Sequence, residues 1–229
     1  LVAVSYLGRV FLIYRKDMRD EIRSFDNLLA TILFGIMLVF IFSFAFQLAD
    51  VDVEQAFPAV LWVNIFFASV LAVQRSFAKE LDNDVLDGLL LGTGDRGSIF
   101  LAKFLCNLSI LFIFELIVTP LLWLFIDLPG AVQAAGGVLL LALFLGSWGL
   151  AAIGTMLSGM TAQLPRARLL FPILLFPLMI PVLIAVIQAT AAAVKLQPEP
   201  AAAWLYFLAG FNLLFTAVPL VLFDYVLEG

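Results

Sequence analysis

Residues 28–48 read LLATILFGIMLVFIFSFAFQL, a run without a single charge. A helix rises 1.5 Å per residue, and a bilayer core of about 30 Å needs about 20 mainly apolar residues to cross it. The stretch therefore reads as a membrane-spanning helix, and the rest of the chain repeats the pattern. Further apolar segments lie near 57–75, 99–126, 132–160, 168–194 and 201–224. Turn chemistry separates them: Asp50 to Glu54, Lys79 to Gly97, Asp127-Leu128-Pro129-Gly130, Pro165-Arg166, and Gln197-Pro198-Glu199-Pro200. Six spans put both ends of the chain on the same side.

Composition supports the same class. The 229 residues are 64% hydrophobic and 13% charged, with a mean hydropathy of +1.14. A soluble domain runs nearer 45–50% apolar and about 25% charged, so the bilayer must be part of the solvent. The length leaves no room for a sizeable soluble domain beside the spans. A net charge of −5 invites the inference of a basic partner, but in a membrane chain the distribution of charge matters more than its sum. The single cysteine, Cys106, excludes an internal disulfide and a cysteine metal cluster. The absence of histidine removes the commonest ligand of zinc and of haem iron. No metal site, catalytic centre or nucleic-acid partner is expected. The opening apolar stretch is short and runs straight into charge, unlike a cleavable signal peptide.

Lys and Arg orient the spans. Arg9, Arg15, Lys16, Arg19 and Arg23 precede the first span; Arg75, Lys79, Arg96 and Lys103 bracket the second connection; Arg166 and Arg168 lie in the fourth. Only Lys195 falls on the opposite side. The basic side is assigned to the cytoplasm, with both termini there and the protein in the inner (plasma) membrane.

Ahead of the first span, Leu7, Phe11, Tyr14, Met18, Ile22 and Phe25 recur at steps of three or four, one stripe of a helix. Arg9, Lys16, Asp20 and Arg23 fall mainly away from it. Residues 1–27 therefore read as an amphipathic helix lying in the membrane interface with its charges wet. The other reading is a short soluble helix packed on the cytoplasmic loops. Residues 28–229 form one transmembrane domain.

The connection from Arg75 to Lys103, RSFAKELDNDVLDGLLLGTGDRGSIFLAK, has a polar part too long for a simple turn. Leu81, Val85 and Leu89 make an apolar stripe at helical spacing, and Glu80, Asp82, Asp84 and Asp87 an acidic flank. Such a segment, 76–98, can dock on a soluble partner, or it can be a solvated loop kept wet by its acids. Gly92-Thr93-Gly94-Asp95-Arg96-Gly97 matches GxGxxG, but that motif works only between a strand and a helix, and none fits here. Asp82, Asp84 and Asp87 lack the Gly and Glu that complete a calcium loop. No GxxxxGK[ST] occurs, so any ATP chemistry belongs to another chain.

Glu115 follows Lys103 by about 18 Å of helix, near mid-membrane, where an ionisable group is a functional candidate. Avoiding bare exposure there takes a proton on the carboxylate or a polar partner such as Asn64, Asn107, Asn212 or Gln188, in a transport role or a plain helix–helix hydrogen bond. Ser147, Ala151, Thr155 and Gly159 place small residues four apart, a close-packing stripe within the subunit or across a dimer. Pro172, Pro177 and Pro181 predict a kinked or broken fifth span. Trp62, Trp123 and Trp204 are expected near outer span ends as interfacial anchors.

With these residues in view, PAVLWVNIFFASVLAVQRSFAKELDNDVLDGLLL (58–91) resembles the signature region of the CcmB family, the haem-exporter permeases of cytochrome c maturation. YRKDMRDEIRS (14–24), FPLMIPVLIAV (176–186) and LFDYVLEG (222–229) are also similar to that family. The resemblance runs along essentially the whole chain and is most specific between Arg75 and Leu91. It implies a six-helix permease of the type-2 ABC exporter superfamily. It also implies a CcmA-type ATPase, CcmC- and CcmD-type membrane subunits and a CcmE-type haem chaperone as partners, with two permease copies in the complex. Glu80, Leu81, Asp82, Asp84, Val85, Asp87 and Leu89 would then form the cytoplasmic coupling helix between spans two and three. Haem would be cargo of the complex, ATP would sit on the partner, and no cofactor would be held by this chain. Met37 and Cys106 offer no evident paired ligands, which favours transmission of motion over carriage of haem. The expected fold is all-α and polytopic: six transmembrane helices, an N-terminal interfacial helix and a coupling helix. The rival readings are a permease for lipid, polysaccharide or drug, or a secondary transporter. The latter should show inverted repeats and several intramembrane charges, and neither is seen.

Overall fold

A computed structural model describes residues 5–23, 25–49, 52–76, 97–125, 136–162 and 170–226. Among these there is no strand, and seven helices follow one another: α1 (Tyr6–Arg23), α2 (Phe25–Ala49), α3 (Val53–Ser76), α4 (Gly97–Phe125), α5 (Gly136–Ala162), α6 (Leu170–Val194) and α7 (Pro198–Val226). Six are long and apolar enough to cross a membrane, over Leu28–Leu48, Gln55–Gln74, Gly97–Phe125, Gly136–Thr161, Ile173–Val194 and Pro198–Val221. These coincide with the six expected spans, and the chain is a multi-pass membrane protein. The expected coupling residues, Glu80 to Leu89, lie outside the described residues.

The helices pack around two central members. α4 touches α1, α2, α3, α5 and α7, while α5 touches α3, α4, α6 and α7. α2 lies at the edge, against α1, α3 and α4. Because lipid tails are as apolar as leucine, burial alone does not hold such helices together; close packing and interhelical hydrogen bonds must. Close packing is visible where α5 meets its neighbours. Gly146 lies under the Trp62 indole of α3, and Gly154 lies under the Val73 side chain of the same helix.

The last connection shows how a tight turn is made here. Gln197 N–H donates to Ala192 O at 2.9 Å and Leu196 N–H to Ala193 O at 3.0 Å, with Leu196 left-handed at φ 54°. This pair of bonds closes a helix C-terminus and satisfies carbonyls that would otherwise be orphaned. Pro198 then opens α7, a position where its missing N–H costs nothing. The turn thus falls at residues 195–197, and Pro198 and Pro200 belong to the helix rather than to the break.

One expectation is narrowed and another corrected. Of a kinked or broken fifth span, the break is excluded, because α6 runs as one helix through Pro177 and Pro181. Pro177 is exposed among Ile173, Leu174, Phe176 and Ile180, on the outward side, rather than turned into the bundle. Membrane helices absorb such prolines by local adjustment of the backbone. Nor is Trp62 an interfacial anchor. It has no exposed surface, and its Nε1 donates to Thr190 Oγ1 of α6 at 2.8 Å. A buried indole needs a partner for its N–H, and Thr190 supplies it across the bundle. Trp123 and Trp204 are both partly buried against the core.

Candidate functional site

The intramembrane polar residues do not gather around Glu115. They are distributed as separate rungs between helices. The Glu115 carboxylate accepts a hydrogen bond from the Ser147 hydroxyl of α5, not from any of the expected amides. Asn107, two turns earlier on α4, donates from Nδ2 to Thr155 Oγ1 of α5 at 2.9 Å. Asn64 donates to Gly35 O of α2 at 3.3 Å, and Asn212 to Leu145 O of α5 at 2.7 Å. Gln188 is exposed. Each amide thus meets a group nearer its own level in the bundle, and Glu115 is left to a hydroxyl.

The two rungs between α4 and α5 share one antiparallel register. Going from 107 to 115 on α4 answers going from 155 to 147 on α5, and the midpoint falls at Leu111 and Ala151, both without exposed surface. The stripe of small residues on α5 therefore packs within the subunit, as the face that receives α4. Sequence reasoning read Ser147 and Thr155 only as small. Their spacing equals that of Asn107 and Glu115, and that match was the available signal.

A third contact ties α1 to the start of α4. Lys103 Nζ lies 3.3 Å from Asp17 Oδ2, with the lysine side chain 1% exposed and the aspartate 12%. The Tyr14 hydroxyl meets Ser109 Oγ at 3.1 Å, and Tyr14 and Met18 pack against Cys106, Ile110 and Ala72. Later residues of α1 thus meet earlier residues of α4, so the charged end of α1 sits at the Gly97 end of α4. Of the expected interfacial stripe, Tyr14 and Met18 face the protein while Phe11 and Ile22 are exposed. On α3, Val73 O accepts from Ser158 Oγ of α5 at 3.1 Å.

These contacts bear on the connection at 77–96. Its two flanking helices are anchored within three turns: α3 through Val73 to α5, and α4 through Lys103 to α1 and Asn107 to α5. Among the described residues, no group of three or more potential metal ligands occurs. The arrangement is a braced set of helices with polar rungs.

The family model described as CcmB protein matches residues 9–225. The chain belongs to the CcmB family. Two curated relatives bear this out along most of the CcmB chain. Heme exporter protein B of Bradyrhizobium diazoefficiens is 28% identical over 180 residues, covering 79% of this chain and 80% of that one. Heme exporter protein B of Rhodobacter capsulatus is 25% identical over 169 residues, covering 74% and 76%.

Proposed function

We propose that this chain is the membrane permease subunit of an ABC-type complex for haem export or delivery in c-type cytochrome biogenesis. The observation that carries the reading is the CcmB match over residues 9–225, joined to six helices able to span a membrane. ATP hydrolysis is placed on a separate CcmA-type subunit, since the sequence has no phosphate-cradling loop with its lysine. CcmC- and CcmD-type subunits, a CcmE-type chaperone and a second permease copy complete the complex. The protein sits in the inner membrane with both termini cytoplasmic, as the distribution of Lys and Arg supports.

Its part in the reaction is to pass motion from the ATPase to the step that releases haem-loaded chaperone. Haem is cargo of the complex, and a chain without histidine has no imidazole with which to ligate it. The ATPase docks on the segment from Glu80 to Leu89. Leu81, Val85 and Leu89 fill an apolar cleft; Glu80, Asp82, Asp84 and Asp87 orient the segment against basic residues. The bracing of α3 and α4 on either side of the segment supports this reading, because a push there would meet stiff contacts.

Replacing Val85 and Leu89 together with Asp tests it. Unpaired charge in an apolar cleft costs several kcal/mol, so the variant should insert normally, lose its ATPase on pull-down and fail to support cytochrome c maturation. Pull-down at wild-type yield would show that docking lies elsewhere.

A further inference from the structure

α1 carries its charges in an order that packing against α4 does not require. One side is turned to the protein: Tyr6, Val10, Ile13, Tyr14 and Asp17 are buried or half-buried. Next round the helix come Leu7, Phe11 and Ile22, exposed by 73%, 60% and 58%. Next again comes a row of Arg15, Arg19 and Arg23, all exposed and spaced four apart, with exposed Lys16 beyond it. At that interval the three guanidinium groups share one edge of the helix. The acids are kept off this edge. Asp17, Asp20 and Glu21 are all half-buried, and Asp17 is engaged with Lys103 and, at 3.2 Å, with Lys16. Among the described residues, no carboxylate pairs with the three arginines.

We infer that the outward edge of α1 is a binding surface for anionic phospholipid headgroups, with Leu7, Phe11 and Ile22 entering the acyl boundary and Arg15, Arg19 and Arg23 meeting phosphate. From residue 13 onward the three sectors follow in the order such a helix needs, protein, acyl chain, headgroup; Leu12, 56% exposed, lies on the headgroup side one turn ahead of Lys16. An amphipathic helix with basic residues bordering its apolar face binds in proportion to buried apolar area and to lipid charge. The end of α1 that holds Arg19 and Arg23 lies beyond the Asp17–Lys103 contact, within two turns of the start of the α4 span, so these two sit at the depth where headgroups begin, while Arg15, next to Tyr14 and Ser109, reaches phosphate from about a turn deeper. Arginine offers phosphate a planar fork of donors. This goes beyond membrane insertion, which the six spans secure alone. It makes the seating of α1 depend on lipid charge.

The test uses the full chain in nanodiscs, of phosphatidylcholine alone or of equal parts phosphatidylcholine and phosphatidylglycerol. Hydrogen exchange is followed over residues 12–23. Each basic residue near an anionic surface contributes roughly a five-fold bias, so exchange there should slow several-fold with phosphatidylglycerol and return towards the phosphatidylcholine rate in high salt. The triple variant R15Q/R19Q/R23Q should lose the difference, and R15K/R19K/R23K should keep most of it. Exchange over α3 to α6 reports whether each variant is folded. Equal exchange in the two lipids for the wild-type chain would overturn the inference, whatever the variants do. So would protection that survives in the glutamine variant, or protection that appears only when an acidic partner protein is added.

Discussion

Substituting Gly146 by Ala adds one methyl where α5 meets both α3 and α6 closely. A Cβ there would stand 2.2 Å from Trp62 Cη2, 2.4 Å from Cζ3 and 2.7 Å from Val186 Cγ1. Carbon atoms rest at about 3.5–4.0 Å, so the indole must retreat by more than about 1 Å. It has nowhere to go: Trp62 has no exposed surface and is pinned through Nε1 to Thr190 on α6. Val186, on the same helix as Thr190, is equally buried. The methyl therefore drives α5 away from α3 and α6 together. Extra methyl groups in well-packed interiors typically cost about 1–3 kcal/mol, occasionally more, and this site belongs at or above the top of that range. Gly210 on α7 is the control, because a Cβ there meets nothing within 4 Å. Gly210→Ala should be neutral or gain up to about 1 kcal/mol from helix propensity. Reversible unfolding in mixed micelles, followed by circular dichroism, compares the two. Adding Trp62→Phe removes the clashing ring atoms, so the double variant should recover part of the loss although Thr190 loses its partner. A Gly146→Ala chain as stable as Gly210→Ala, or a double variant showing no coupling, would refute the packing of α3 against α5 described here.

The ion pair between α1 and α4 should respond asymmetrically. Asp17→Asn takes a carboxylate from a lysine whose side chain is 1% exposed, and weakening a buried pair in this way should cost up to about 3–5 kcal/mol; Lys103→Met leaves Asp17 with Lys16 at 3.2 Å and should cost clearly less in the same unfolding assay. Equal losses would contradict the burial assigned to Lys103. For the amide rung, Asn107→Leu and Thr155→Val should couple by about 0.6 kcal/mol in a double-mutant cycle, the average for hydrogen bonds between membrane helices, and by no more than about 1.7 kcal/mol. Strict additivity would show that the two side chains do not meet.

Much of the fold was legible because a span needs length and apolarity, and both can be read directly. Positions within the bundle were less legible, for a physical reason: the lipid-facing and protein-facing sides of a span are equally apolar. Trp62 illustrates the loss. An aromatic near a span end has two homes, the headgroup region or a buried site with a partner for its N–H, and only the position of Thr190 on another helix separates them. Glu115 was legible as a residue needing a partner, yet the partner was sought among amides. Its actual partner, Ser147, looked like a packing residue. The signal that would have served is the stripe itself. Lys103, Asn107, Glu115 and Thr119 fall on one four-residue row of α4, and Ser147 and Thr155 on one row of α5. The buried polar row marks the face of each helix that hydropathy leaves undefined. The connection from Glu80 to Leu89, where the family resemblance is most specific, lies outside the described residues, so the docking proposal rests on chemistry and family.

The same rows limit how a neighbouring subunit can be recognised. Ser147, Asn107, Thr155, Trp62 and Thr190 bond between helices of this chain, as do the amide nitrogens of Asn64 and Asn212, whose oxygens are buried without a partner. The outer faces of α2 and α7 keep Leu33, Met37, Phe40, Ile41 and Phe44 on one, and Leu213, Leu214, Val218 and Val221 on the other. A helix from another subunit meeting these faces in lipid gains nothing from the hydrophobic effect, since lipid already satisfies leucine. Its specificity must come from shape, or from groups at the ends of the spans. On α6, Gln188 is exposed inside a span rather than spent on Glu115, and on α7 Tyr206 is exposed inside its span, so both faces offer a polar handle that the Leu33 to Phe44 face of α2 lacks. Assembly through that face of α2 therefore has to be directed by shape or by contacts outside the bilayer core, such as the charged end of α1.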